Sequence, residues 1–264
     1  MGADSLNVRL AHLSDIHFGA ENRPATEAAI EAVTAFAPHL TVVTGDLTLD
    51  GRPREFRAAR AWLERLPQPL LVTPGNHDTP YLNLLLRALT PFDRYRRYIG
   101  EPEHAAFDGL HLSARAINSA RGAQPRPDWS KGAIDLESLG RVANEMAARP
   151  DVLKVFACHH PLIDLEGMPV TGGVHRGAAA AALLAQARID LILTGHVHNP
   201  FALALESGPR ASYAIGAGTL SLRTRGAPAG FALIEADEDT VNVTALGWNG
   251  SAFETYRAWP LPRG

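Results

Sequence analysis

Five short polar clusters stand in the chain, each just after an apolar run: Asp15-Ile16-His17, Gly45-Asp46, Gly75-Asn76-His77-Asp78, His159-His160-Pro161 and Gly195-His196-Val197-His198. Three carboxylate or carboxamide groups (Asp15, Asp46, Asn76) and four imidazoles (His17, His159, His196, His198), if brought together, make a hard-to-borderline metal site that accepts Fe, Mn, Zn or Co. One such ion takes about four to six ligands. Seven candidates therefore point to two ions, and two ions roughly 3.5–4 Å apart need a bridging ligand. Asp46 stands alone between clusters and has two carboxylate oxygens, which makes it the natural bridge. The single cysteine, Cys158, offers no thiolate set, so this is not a structural zinc site. Gly45, Gly75 and Gly195 directly precede candidate ligands, where glycine permits tight strand-to-loop turns.

The elements between the clusters supply a reason for their convergence. Val8–Leu13, Leu40–Thr44 and Pro69–Thr73 read as strands, and Ala25–Phe36 and Glu55–Leu66 have helical spacing. Strand and helix in alternation predict parallel βαβ units, whose loops after the strand C-termini gather on one edge and bind ligands there. The rhythm resumes with a helix over Asp135–Ala148 capped by Asp135, a strand over Val152–Ala157, a helix over Gly177–Ala187 and a strand over Ile189–Leu193. Between these halves, Tyr81–Tyr98 reads as a helix interrupted at Thr90-Pro91. Gly100–Asn118 holds short strand pieces, and Gly122–Lys131 reads as an exposed loop. Phe201–Trp259 holds five strand-like runs broken by Gly, Pro and Asn, expected as antiparallel hairpins of a second sheet. No linker is visible, so residues 1–264 read as one domain.

Composition narrows the function classes. Lys+Arg 25 against Asp+Glu 28 leaves a net charge of −3, with no basic excess to hold nucleic acid. No run approaches the ~18 apolar residues of a membrane span, and the N-terminal residues lack a secretory pattern. One cysteine is compatible with a reducing cytoplasm, the expected location. An amphipathic tail sheet fits a core or a subunit interface equally, which leaves a homo-oligomer open.

The ordered set Asp-x-His, Gly-Asp, Gly-Asn-His-Asp, His-His-Pro, Gly-His-x-His resembles the calcineurin-like metallophosphoesterases, and most closely the class III cyclic nucleotide phosphodiesterases and bacterial glycerophosphodiesterases. The resemblance implies an α/β fold: a four-layer sandwich of two facing mixed β-sheets flanked by helices, with an antiparallel strand-rich C-terminal part. It implies one metal on Asp15, His17, Asp46 and His198, and another on Asp46, Asn76, His159 and His196. It gives His77 a contact with the substrate phosphoryl group, and it uses the first histidine of the His159-His160 pair. The tail segments Gly216-Ala217-Gly218-Thr219 and Arg223 to Gly226 are also similar to this branch, with no role attached.

The resulting expectation is metal-assisted hydrolysis of a small phosphate diester, such as a cyclic nucleotide or a glycerophosphodiester. His77 would stabilise charge or protonate the leaving oxygen, and Asp78 would orient it or cap the following helix. Met168, Val170 and Val174 would accept the second ester arm. A phosphomonoesterase or a nucleotide or lipid pyrophosphate hydrolase is the alternative, because the same residues serve those reactions. A non-catalytic scaffold should lack ligands or the His77 position, and this chain has them all. Of the remaining candidates, Cys158, His12 and His39 read as structural, and His104, His111 and His175 as surface residues. Arg94–Arg97 reads as an exposed helix face.

Overall fold

The computed structural model describes residues 6–125, 128–150, 152–165, 174–205 and 211–263. The first half follows the alternation read from sequence: β1 (Val8–Leu13), α1 (Arg23–Phe36), β2 (Leu40–Thr44), α2 (Pro53–Leu63) and β3 (Leu70–Thr73). α1 begins where Asn22 accepts a hydrogen bond from the Ala25 N–H, and it ends at Ala37, whose left-handed φ of 50° turns the chain away. The stretch Tyr81–Tyr98 is interrupted at Thr90-Pro91 as expected, into two short helices, α3 (Leu84–Leu89) and α4 (Asp93–Tyr98). Proline has no N–H for the helical ladder, so the break falls there.

β4 (His104–Asp108), β5 (Leu112–Ile117), α5 (Leu136–Ala147), β6 (Leu153–Ala157), α6 (Gly177–Gln186) and β7 (Leu191–Thr194) follow. As expected, Asp135 caps α5, accepting from Glu137 and Ser138. The Gly122 end of the expected exposed loop is instead buried, and its carbonyl accepts from Arg87 Nε at 3.1 Å.

The tail contributes β8 (Phe201–Leu205), β9 (Ser212–Gly216), β10 (Gly230–Ala236), β11 (Thr240–Trp248) and β12 (Phe253–Pro262). The expected antiparallel hairpins form, β8 with β9, β10 with β11 and β11 with β12, but they do not build a sheet of their own. β10 pairs antiparallel to β1, and β11 and β12 continue the first sheet with each strand antiparallel to the one before, giving the order β12-β11-β10-β1-β2-β3. β9 instead pairs parallel to β7, and β8 closes the second sheet, in the order β4-β5-β6-β7-β9-β8.

The two mixed sheets face each other across an apolar layer that includes Leu10, Val42, Ile234 and Val243 from one side and Ala114, Val155, Leu193 and Ile215 from the other. Ile30, Val33, Phe56 and Trp62 of α1 and α2 cover the outer face of the first sheet. Leu139, Met146, Ala181 and Leu184 of α5 and α6 cover that of the second. The result is the four-layer sandwich expected from the resemblance. Among the described residues no helix is long and apolar enough to cross a membrane.

Loops after β1, β2 and β3 meet loops after β6 and β7 at one edge, and glycines let them approach. Gly45 has a φ of +82°, and an added Cβ there would lie 2.6 Å from the Gly75 nitrogen. Gly75 and Gly195 serve differently from the turn role expected of them. Gly75 has an extended backbone, φ −107°. A Cβ on Gly75 would overlap the backbone nitrogen and carboxylate of Asp46, and one on Gly195 would overlap Ser14 Oγ. Both are needed for close contact rather than for conformation.

Two alanine substitutions separate these effects. Gly140 sits within α5 with nothing within 4 Å of an added Cβ, so Gly140→Ala should raise stability by up to about 1 kcal/mol. Gly75→Ala should lower it by about 1–3 kcal/mol through overpacking against Asp46. Urea denaturation reads both, and a Gly75→Ala midpoint equal to that of the wild type would remove the close-approach account.

Candidate metal centre

The edge where the loops meet holds every candidate ligand in one buried cleft. Asp15, His17 and His159 are fully buried, and Asp46, His198, Asn76 and His196 expose no more than 7% of their surface. Asp15 Oδ1 lies 3.0 Å from His198 Nε2 and 3.7 Å from His17 Nε2. The two Nε2 atoms of His17 and His198 are 3.2 Å apart. On the other side, His159 Nε2 lies 3.3 Å from Asp46 Oδ2, and that same oxygen is 3.8 Å from His17 Nε2. One oxygen of Asp46 thus faces both halves of the cluster, which is the placement a bridge needs.

Backbone carbonyls set the imidazole orientations. His159 Nδ1 donates to Thr44 O at 2.6 Å, His198 Nδ1 to Arg223 O at 2.6 Å, and His17 Nδ1 to Thr48 O at 3.3 Å. A carbonyl only accepts, so Nδ1 carries a proton and Nε2 is the ring atom turned into the cleft. Asp15 Oδ1, Asn76 Oδ1 and His159 Nε2 are buried with no hydrogen-bond partner among the described residues. Buried polar atoms are nearly always satisfied. Three orphaned ligand atoms, two of which, Asp15 Oδ1 and His159 Nε2, face imidazole or carboxylate groups of the cluster at 3.0 and 3.3 Å, fit a cation.

Charge follows the same design. Burial opposes ionisation of Asp15, yet His198, His17 and His159 hold its carboxyl well below the usual range. Asp46 is likewise held well below it, against burial, chiefly by His159 and His77. Burial works against a charged His159, but Asp46 and Asp15 pull it up to about 9. Burial pushes His196 well down, with His160 and His159 adding to the effect.

The supporting residues divide cleanly. Among the described residues the Asp78 carboxylate makes no hydrogen bond or ion pair with a candidate ligand side chain. Its two oxygens accept from the N–H groups of Leu47, Thr48 and Gly75 and from Thr48 Oγ1, which clamps the loop of Asp46 to that of Asn76. Burial and the neighbouring Asp46 push its carboxyl up to about 7, against the pull of these backbone donors. His160 donates from Nε2 to Ser130 O and accepts at Nδ1 from Ser119, both at 2.8 Å, so neither nitrogen is open to a metal. His77 is 9% exposed. Its backbone N–H donates to Asp46 Oδ1 at 2.8 Å, its Nδ1 donates to Leu49 O at 2.6 Å, and its Nε2 lies 3.2 Å from Arg223 Nη1. His77 is therefore beside the cluster and fully engaged by protein.

Sequence reasoning missed several partners here. Tyr81 stacks flat on His77, with ring centroids 4.5 Å apart. Thr219 Oγ1 donates to Asp15 O at 2.6 Å, and Arg225 Nη1 donates to His196 O at 3.1 Å. Tyr81 lies in no motif, and Thr219 and Arg225 fall in the tail segments similar to the family, whose contacts only the path of the chain reveals. Val174 packs in the outer core with Leu162 and Leu184, so it does not line the cleft as expected. Met168 and Val170 lie outside the described residues. Within Arg94–Arg97, Tyr95 is buried rather than exposed. Cys158 and His12 are buried, as their structural reading requires, and His175 is exposed.

Five of the seven candidate ligands have left-handed backbones although none is glycine: Asp15 (φ 55°), His17 (49°), Asp46 (51°), His196 (69°) and His198 (59°). Such conformations cost about 1–3 kcal/mol each and cluster at functional sites.

Comparison with known proteins agrees with this geometry. Residues 8–200 match the family model of the calcineurin-like phosphoesterases. A probable cyclic nucleotide phosphodiesterase of Synechococcus sp. is 25% identical over 75% of this chain and 76% of its own length. A cAMP/cGMP dual specificity phosphodiesterase of Mycobacterium tuberculosis is 27% identical over 72% of this chain and 61% of its own. Among solved structures, PhoD superposes with a TM-score of 0.73 at 13% identity, covering 99% of this chain and 71% of that one. At that identity the likeness shows the fold alone. With a family model covering most of its length and the fold to match, the chain belongs to the calcineurin-like phosphoesterase family.

Proposed function

We propose that this chain is a two-metal phosphodiesterase acting on a small diester, either a cyclic nucleotide or a glycerophosphodiester. The observation that carries the metal reading is the single Asp46 oxygen facing two sets of ligand atoms, three of them buried without a partner. Asp15, His17, Asp46 and His198 would hold one ion, and Asp46, Asn76, His159 and His196 the other. The donor set of carboxylate, carboxamide and imidazole suits Fe, Mn, Zn or Co. Two bound cations would neutralise phosphoryl charge and bring the pKa of water toward neutrality. The diester preference rests on the relatives, two of which are named as cyclic nucleotide phosphodiesterases.

The chain's own part is positioning. Asp78 fixes three backbone N–H groups of the Asp46 and Asn76 loops, so the ligands keep their spacing while substrate exchanges. His77 is held by its N–H on Asp46 and its Nδ1 on Leu49, so Nε2, which rests 3.2 Å from Arg223 Nη1, is the ring atom that substrate could meet by displacing that contact. Hydrolysis forms a bond from a water oxygen to phosphorus and breaks the ester P–O bond, and the departing alkoxide takes up a proton. Once Nε2 has exchanged Arg223 for a proton, His77 would serve that alkoxide.

Asp46→Asn should reduce the content of both metals together, because the amide replaces the shared carboxylate. Elemental analysis of wild type and variant checks this. Loss of one equivalent only would show that Asp46 does not bridge. For the substrate class, kcat/KM is compared for bis-p-nitrophenyl phosphate, p-nitrophenyl phosphate and 3′,5′-cyclic AMP in the same metal. A diester advantage is expected. Turnover of the monoester with neither diester hydrolysed would replace this reading by a phosphomonoesterase.

A further inference from the structure

Arg223 lies on the segment after β9 that reaches the ligand cleft, and its backbone is tied to one candidate ligand directly and to a second through two hydroxyls. Its carbonyl accepts from His198 Nδ1 at 2.6 Å. Its N–H donates to Ser221 Oγ at 3.1 Å, which lies 2.7 Å from Thr219 Oγ1, which in turn donates to Asp15 O. The residue is thus registered to Asp15 and His198, on one side of the cluster.

Its side chain is placed where no protein anion answers it. Nη1 sits 3.2 Å from His77 Nε2, an atom that can accept there because Nδ1 carries the proton donated to Leu49 O. No carboxylate forms an ion pair with Arg223 or Arg225 among the described residues. Arg115 and Arg149, by contrast, both engage Asp108 elsewhere on the surface. A guanidinium has five donors in a planar fork that matches phosphoryl oxygens, and a neutral imidazole uses only one of them. Arg225 adds a second guanidinium two residues on, with Nη1 on the carbonyl of His196.

We propose that Arg223 is a substrate-contacting residue whose guanidinium binds a non-bridging phosphoryl oxygen, with His77 Nε2 holding it in place between turnovers. His77 is then a positioning residue for Arg223 as well as a neighbour of the reacting group. The proposal rests on a phosphate ester being the substrate, but not on its being a diester. It predicts that inorganic phosphate, the anion alone, uses the same contact.

The test uses full-length protein reconstituted with Mn²⁺, with Arg223→Gln, Arg223→Lys and, as a charge control on exposed β12, Arg257→Gln. Inorganic phosphate binding is followed by calorimetry, hydrolysis of bis-p-nitrophenyl phosphate by rate, and Mn content by elemental analysis. Arg223→Gln should weaken phosphate binding by roughly 10–100-fold, as loss of a charged hydrogen bond does. It should also lower kcat/KM by roughly 10²-fold with Mn content unchanged. Arg223→Lys should recover part of the binding, and Arg257→Gln should match wild type. Phosphate binding by Arg223→Gln equal to that of wild type overturns the proposal, and so does loss of Mn from that variant. If no protein turns over the diester but Arg223→Gln still loses phosphate, the Arg223 assignment stands and the diester reading falls. Diester turnover untouched by Arg223→Gln has the opposite meaning.

Discussion

Two carboxylates, one carboxamide and four imidazoles share a cleft from which solvent is almost wholly excluded. Isolated, each charge there would cost several kcal/mol to bury. Together they offset one another only in part, since Asp15 Oδ1, Asn76 Oδ1 and His159 Nε2 stay without partners. The rest of the molecule can be understood as the framework that tolerates this concentration of polar groups. Apolar layers on both sides of each sheet supply the burial that offsets it. Backbone carbonyls at the strand ends, such as Thr44 O, turn each ring inward.

The same demand accounts for the irregular backbone at the strand ends. Left-handed residues at Asp15, Asp46 and His196 bring side chains that would otherwise point apart into one volume. Their energetic cost is carried by contacts made nearby, such as the Asp78 carboxylate collecting donors from two loops. Ser14 contributes in the same way, donating to Asp15 Oδ2 at 2.6 Å and leaving Oδ1 free to face the cleft.

Much of this was legible in the sequence. Local signals carried it: β1 and β2 fall on the residues that their apolar runs mark, Asp135 caps α5, and Pro91 divides α3 from α4. The candidate ligands were legible because each directly follows a strand, and strand ends of parallel units share an edge. Pairing between distant segments was not. The apolar alternation of β10 says that one of its faces is buried, but not that it pairs with β1 through Val8 and Ala236. Nor does the pattern of β9 reveal that it lies parallel to β7. Gly75 and Gly195 look the same in sequence as Gly45, although only Gly45 has a positive φ. The Tyr81 stack and the Arg223 contact on His77 join segments that no spacing rule links.

Asp15, Asp46 and Asn76 come from the sheet of β1, β2 and β3, whereas His159 and His196 come from that of β6 and β7. Any cation held by both groups would act as a staple across the sandwich. Its binding energy would then add to the folding free energy, as for any ligand that binds only the native state. Metal supply would set mechanical rigidity as well as chemistry, because the two sheets could not slide past each other at that edge without breaking coordination. Such a protein is expected to be most open to proteolysis and to thermal unfolding when starved of metal. Its lifetime in a cell would then report on metal availability, even where no substrate is present.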